Sequence, residues 1–203
     1  MKVTRVNGVG AIPAATWDAL AGEDDPFAEH AFLSTLEDSG SVGGRSGWEP
    51  EHVLVHADGQ LVGALPLYRK QHSYGEYIFD FAWANASSRL GAPYYPKLVG
   101  MTPLTPATGT RLLVHPEADR GAVVRALLDG ALAAADELRA SSIHLNFLSA
   151  QEAEDVAAHG AFMARTTHQF HFHNEGYATF EDFVGRFRSS MRKKLRKERR
   201  AVT

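Results

Sequence analysis

The dipeptide Asp58-Gly59 constrains this chain more than any other feature. Strand-forming residues flank it on both sides, and Asp-Gly readily takes the positive φ angles of a two-residue hairpin turn. An antiparallel hairpin with arms 51–57 and 60–71 follows. Residues 116–139 obey a different period. Val124, Leu127, Leu128, Ala131, Leu132, Ala135 and Leu138 recur at helical spacing, which predicts one long helix with an apolar side. A sheet with one face to cover and a helix with one side to bury satisfy each other in a layered domain.

Shorter signals complete the order. Residues 2–6, 95–101, 111–114, 142–147 and 162–174 read as strands, and 74–83 as an extended aromatic segment. One helix begins at Pro13, with Trp17 and Leu20 on one face. Another begins at Pro26, with Phe27, Phe32, Leu33 and Leu36 directed inward. Asn85 caps a short helix to Leu90, and 151–159 form a further helix. Residues 40–47 and the proline-rich 101–110 are loops. The expected architecture is α/β (α+β): a central mixed, mainly antiparallel sheet flanked by helices, with a basic helix at the C-terminal end.

That final helix is expected to start at a Thr179 cap. Phe183, Phe187, Met191 and Leu195 recur every four residues, with Lys and Arg on the other faces. Residues 186–200 hold nine Lys/Arg and one acid, which leaves 12 basic and 23 acidic groups elsewhere. An acidic body with a basic end differs from a uniformly basic nucleic-acid binder. No Gly, Asn or Pro stop signal follows, so the helix is expected to lead into a longer protein. The absence of Cys excludes a disulfide scaffold, a thiol nucleophile and a thiolate metal site. No apolar run nears the ~20 residues that span a bilayer, so no stable membrane insertion is expected. Residues 1–10 lack the apolar stretch of a secretory signal, and a cytoplasmic location is expected.

Residues 71–80 and 94–98 gather polar aromatics and charges around Gly and Pro. Tyr74, Tyr77 and Tyr95 combine an apolar body with a hydrogen-bonding tip, which suits a pocket wall. Glu76 and Asp80 are candidates to take a proton from an amine or to orient it, and Lys97 and Arg111 to hold an anion. The same residues also fit a packed sheet edge with its charges in water. In the run 168–174, Gln169, His171 and His173 share one strand face. No Cys or spaced carboxylate completes a metal set with these histidines, so ordinary sheet histidines or a pocket-lining Gln169/His171 pair are preferred and no metal is expected. There is no Walker loop, GxGxxG fingerprint or GxSxG elbow.

Several blocks together are similar to a known family. They are Pro26-Phe27 with His30-Ala-Phe-Leu-Ser34, Gly63-Ala-Leu-Pro-Leu-Tyr68, and His72-Ser-Tyr-Gly-Glu-Tyr-Ile-Phe-Asp80. Further along come Tyr94-Tyr-Pro-Lys-Leu98, Leu104-Thr-Pro with Gly109 and Arg111, Gln169-Phe-His171, and Arg192-Lys-Lys with Arg199-Arg200. The combination resembles the FemAB-like branch of the GNAT-fold acyltransferase superfamily, of the peptidoglycan biosynthesis or recognition type. The resemblance implies a GNAT-like first half over 1–175, then an amphipathic basic helix over 176–203 that leads to a second half. It implies transfer of an acyl or aminoacyl group to an amine, with a small molecule or a peptidoglycan precursor as acceptor. The donor would be acetyl-CoA or another acyl-CoA, with aminoacyl-tRNA as the alternative. Glu76, Asp80 or His171 would take the proton or orient the amine. Tyr74, Tyr77, Tyr95, Lys97, Arg111 and Gln169 would bind substrate. One departure stands out: Leu113-Val-His-Pro-Glu-Ala-Asp119 precedes the long helix where the superfamily carries its pyrophosphate loop. A module that recognises a cell-wall precursor, or docks the second half, without catalysis is the alternative.

Overall fold

In the computed structural model, which describes residues 1–202, Asp58 and Gly59 turn the chain with φ of 51° and 82°. They join β3 (His52–Ala57) to β4 (Gln60–Leu65), as the dipeptide predicts. β1 (Lys2–Val6) pairs with β3, and β7 (Leu113–Val114) pairs with β4, giving a sheet of order β1-β3-β4-β7. A second sheet has β2 (Trp48–Pro50), β5 (Tyr68–Lys70), β6 (Lys97–Gly100) and β8 (Ile143–Leu145), in the order β2-β5-β6-β8. Every ladder is antiparallel except β6 with β8.

The hairpin arm expected over 60–71 is therefore two strands in two sheets. Pro66 has no N–H to give to a ladder, and the next N–H, Leu67, donates to His52 Nδ1 at 3.2 Å. Opposite, Pro50 ends β2 and the Glu51 N–H donates to the Leu67 carbonyl. Both strands thus change sheets at facing positions.

Chain Met1–Ala164 forms one compact unit around these sheets. Along β3, Val53 and Val55 face the long helix α4 (Arg120–Glu137), where they meet Leu127, Leu128 and Ala131. Leu54 faces the other way, toward Trp17 and Leu20 of α1 (Ala14–Ala21) and Leu33 of α2 (His30–Asp38). Gly63 lets α4 lie close: a Cβ there would come within 2.3 Å of Val123 Cγ1. α4 starts later than the apolar period suggests because the Asp119 carboxylate caps it, accepting from the Ala122 N–H at 3.1 Å. α2 likewise starts at His30, not at Pro26, because the Asp25 carboxylate binds the Phe27 N–H and holds the preceding residues in a turn. The segment 74–83 is only partly extended. It becomes helical as α3 (Phe81–Arg89), which begins four residues before the expected Asn85 cap. α5 (Ala150–His159) closes the unit behind a Ser149–Glu152 capping box.

Arg165–Thr203 forms the second unit. Residues 165–175 make no strand, contrary to the reading of 162–174. Alternation alone does not make a strand. Without a neighbouring strand among the described residues, its backbone groups are better left to water. Thr179 caps as expected, but the single helix divides into α6 (Phe180–Gly185) and α7 (Ser189–Arg200). Arg196 binds Glu181 through two nitrogens, at 3.1 and 2.5 Å. In one straight helix those residues would sit about 22 Å apart along the axis, so the break is what lets them meet. Phe183 packs within 6.0 Å of Phe172, Tyr177, Phe180 and Phe187. No helix among the described residues is long and apolar enough to cross a membrane.

Candidate functional site

Sheet register places Trp48 opposite Lys70, and Lys70 opposite Lys97, in a row across β2, β5 and β6. Side chains opposite one another share a face, so two lysines and an indole are forced together. The connection from β5 to α3 folds over this row and supplies Ser73, Glu76 and Asp80. Gly75, at φ 80°, makes the fold possible: a Cβ there would meet Leu104 Cδ2 at 2.5 Å.

Lys97 is fully buried, and its ammonium uses all three donors. Nζ donates to Glu76 Oε2 at 2.8 Å, to Asp80 Oδ2 at 2.5 Å and to Ser73 Oγ at 2.9 Å. The Tyr94 hydroxyl donates to the same Asp80 oxygen at 2.6 Å, and Tyr95 shares a hydrogen bond with Ser73 at 2.8 Å. Lys70 Nζ lies 3.5 Å from the centre of the Trp48 ring and donates to the Tyr74 carbonyl. Glu76 and Asp80 are themselves fully buried, yet Glu76 Oε1 and Asp80 Oδ1 have no donor.

The environment separates the two carboxyls. Burial raises Glu76, with Asp80 adding to the effect and Lys97 opposing it, so its proton affinity ends above the ordinary range. Burial would raise Asp80 too, but hydrogen bonds from Lys97 and Tyr94 outweigh it and hold the group below that range. Burial and then Asp80 push the Tyr94 hydroxyl up. Burial, with Lys97 adding, lowers the Lys70 ammonium to about 7 against the pull of Glu76. The cluster therefore holds one firm anion, one carboxyl ready to take a proton, and a lysine able to lose one near neutrality.

Glu76, Asp80, Lys97 and Tyr95 thus converge. Tyr74 and Tyr77 point outward, 69% and 49% exposed. Arg111 does not join the cluster through any of its contacts. Its guanidinium donates to the carbonyls of Asn146, Thr110 and Ala107, with Asp25 at 3.8 Å. Its own N–H and that of Leu112 go to Glu152 Oε1 at 2.6 and 2.7 Å. Arg111 therefore braces the loop 107–110. Gln169 and His171 lie on the exposed extended segment of the second unit, where the His171 and His173 rings stack at 6.4 Å. Among the described residues no three His, Asp or Glu side chains gather as a metal site requires. Lys70, Ser73, Tyr94 and Trp48 complete the cluster beyond the residues picked out from sequence. The available signal was a lysine at the end of one strand, Lys70, and at the start of another, Lys97.

These sheets and helices define a mixed α/β fold shared with solved acetyltransferases. A probable acetyltransferase of known structure is similar at a TM-score of 0.50 and 17% identity, covering 86% of this chain and 100% of that one. An aminoglycoside 6'-N-acetyltransferase of Acinetobacter baumannii gives 0.48 and 12%, covering 86% and 100%. A ribosomal-protein-alanine N-acetyltransferase of Brucella melitensis biovar Abortus 2308 gives 0.47 and 14%, covering 86% and 99%. The chain belongs to the FemAB-like family, described as peptidoglycan biosynthesis/recognition, whose model matches residues 8–203. Comparison with curated proteins gives no match.

Proposed function

We propose that the chain transfers an acyl or aminoacyl group to an amine, with a peptidoglycan precursor as the acceptor. The reading is carried by the two buried carboxylate oxygens without a donor, Glu76 Oε1 and Asp80 Oδ1, beside a carboxyl raised in proton affinity. An entering ammonium supplies the N–H groups they lack. Glu76 takes one proton: an N–H bond breaks, a carboxyl O–H forms, and the nitrogen keeps the electron pair. The free amine then attacks the activated carbonyl carbon of the donor; as the tetrahedral adduct collapses, the bond from carbon to the leaving group breaks, the leaving group takes the Glu76 proton, and the second nitrogen proton passes to water, which restores the Glu76 carboxylate. Lys97 stays in place throughout and keeps Asp80 anionic, so the site retains one negative charge for the next ammonium.

Coenzyme A does not fit at the start of α4. The Asp119 carboxylate already takes the Ala122 N–H there, and Glu117 adds a second acid next to any phosphate. The donor is therefore an activated carbonyl of unassigned carrier. The same feature supports the second reading, recognition of a precursor without turnover.

The test is product formation by the full protein, with acetyl-CoA or aminoacyl-tRNA as donor and a stem peptide bearing a primary amine as acceptor. Glu76→Gln is expected to lower turnover by about 10²–10⁴-fold. His171→Ala tests the alternative proton acceptor. Wild-type turnover in Glu76→Gln rejects the assignment of the base. Peptide binding with no product from either donor favours the recognition reading.

A further inference from the structure

Helix α3 buries no residue at all. Its inner side is covered only at Ala84 and Ser87, which are half-buried, and Phe81 leans toward Tyr74 with ring centres 5.8 Å apart. A nine-residue helix has little stability of its own in water, so a helix that contributes nothing to a core needs a cover. Its outer flank has a definite shape. Ala82, Ala86 and Leu90 follow one another at intervals of four, and Trp83 stands beside them. Trp83 and Leu90 are 65% and 84% exposed. Two small residues leave a hollow, and two large ones stand proud of it.

We infer that this flank of α3 is the contact between two copies of the chain, packed helix against helix about a two-fold axis. Knobs and hollow on the same face are self-complementary: Trp83 and Leu90 of one copy enter the Ala82/Ala86 hollow of the other. Alanines let helix axes approach to about 8 Å in ridge-into-groove packing. An antiparallel arrangement also opposes the two helix dipoles favourably. Charge argues in the same direction. A two-fold contact sets the same patch against itself, so a charged face repels itself. Between residues 77 and 96 the charged residues are Asp80, which is buried, and Arg89. One cation is too few for an anionic bilayer or a polyphosphate, either of which selects a basic face.

The exposed area points the same way. A covered aromatic side chain contributes roughly 150–250 Å². Trp83 and the neighbouring Phe79, 78% exposed, together with Leu90 supply much of the ~800 Å² per partner of a standard interface. The connection that carries Glu76 and Asp80 runs directly into α3, so a second copy would also shield the carboxylate cluster. The inference does not depend on acyl transfer.

The full chain has no Cys, so one introduced thiol reports self-contact directly. Ala86→Cys should form a disulfide-linked dimer under mild oxidation, whereas Ala133→Cys, on the exposed side of α4, should not. In sedimentation equilibrium the wild type should dimerise at micromolar concentration. Trp83→Ala with Leu90→Ala should raise the dissociation constant by about tenfold or more and leave the melting temperature of the monomer unchanged. A wild type that stays monomeric at high micromolar concentration overturns the inference. So does cross-linking of Ala86→Cys no faster than Ala133→Cys, or a monomer that instead binds phosphatidylcholine vesicles.

Discussion

Replacing Lys97 with Met removes the one cation in direct contact with both buried carboxyls. Three hydrogen bonds disappear at once, at 2.8, 2.5 and 2.9 Å, and neither carboxyl can turn to water. Breaking a buried ion pair from one side costs about 3–5 kcal/mol. The two acids do not share that cost evenly. Glu76, already raised by burial, can take up a proton and become neutral. Asp80 depends on Lys97 and Tyr94 to stay charged and carries most of the loss. For a chain of this size each kcal/mol moves the melting temperature by about 2–4 °C, so a drop of about 6–20 °C is expected near neutral pH. The pH dependence has a definite sign. A carboxyl held low in the folded state stabilises it above the ordinary carboxylate range, and that support is lost as pH falls through the lowered value. Lys97→Met forfeits this support, so its deficit is largest near neutrality and narrows in acid, where both carboxyls are protonated anyway. Thermal melts of the full chain followed by circular dichroism, near pH 7 and at about pH 2.5, below the ordinary carboxylate range, measure both effects. Adding Glu76→Gln and Asp80→Asn to Lys97→Met should recover much of the loss. A single variant as stable as wild type at neutral pH, or a deficit unchanged in acid, refutes the reasoning.

Two further perturbations test neighbouring parts of the account. Lys70 has its folded-state proton affinity lowered to about 7, so the unfolded chain binds more protons there and stability should rise with pH from about 7 toward 10; Lys70→Met should flatten that rise, and an unchanged slope in urea titrations would show that Lys70 is not its source. Gly63→Ala forces a methyl to within 2.3 Å of Val123 Cγ1, which should cost about 1–3 kcal/mol in a thermal melt, and an unaffected melt would mean that α4 has room to retreat.

Much of this fold was legible because its cues are local. Asp58-Gly59 needs nothing beyond itself to make a turn, and the α4 period survives because one side of the helix meets Val53 and Val55 along its length. What stayed hidden depends on pairing. The arm over 60–71 reads as one strand, because nothing local shows that the chain leaves for another sheet after Pro66. The alternation over 162–174 showed two faces, but no neighbour to pair with. The candidate site divides in the same way. Glu76, Asp80 and Lys97 stand out as charges in an aromatic, glycine-bearing stretch, and they meet. Lys70 reads as an ordinary strand end until the register sets it against Lys97. Arg111 reads as an anion holder because nothing in a sequence reveals that three backbone carbonyls will claim a guanidinium.

The central claim is that one buried lysine splits two carboxyls into a fixed anion and a proton acceptor that await an amine. Carbon-13 titration of the Asp and Glu carboxyls in the full protein, with and without a primary amine such as propylamine, tests it most directly. The account predicts that Glu76 titrates above and Asp80 below the ordinary carboxylate range, and that added amine shifts both resonances while tetramethylammonium, which has no N–H to donate, does not. Two carboxyls that titrate normally and ignore the amine would contradict it.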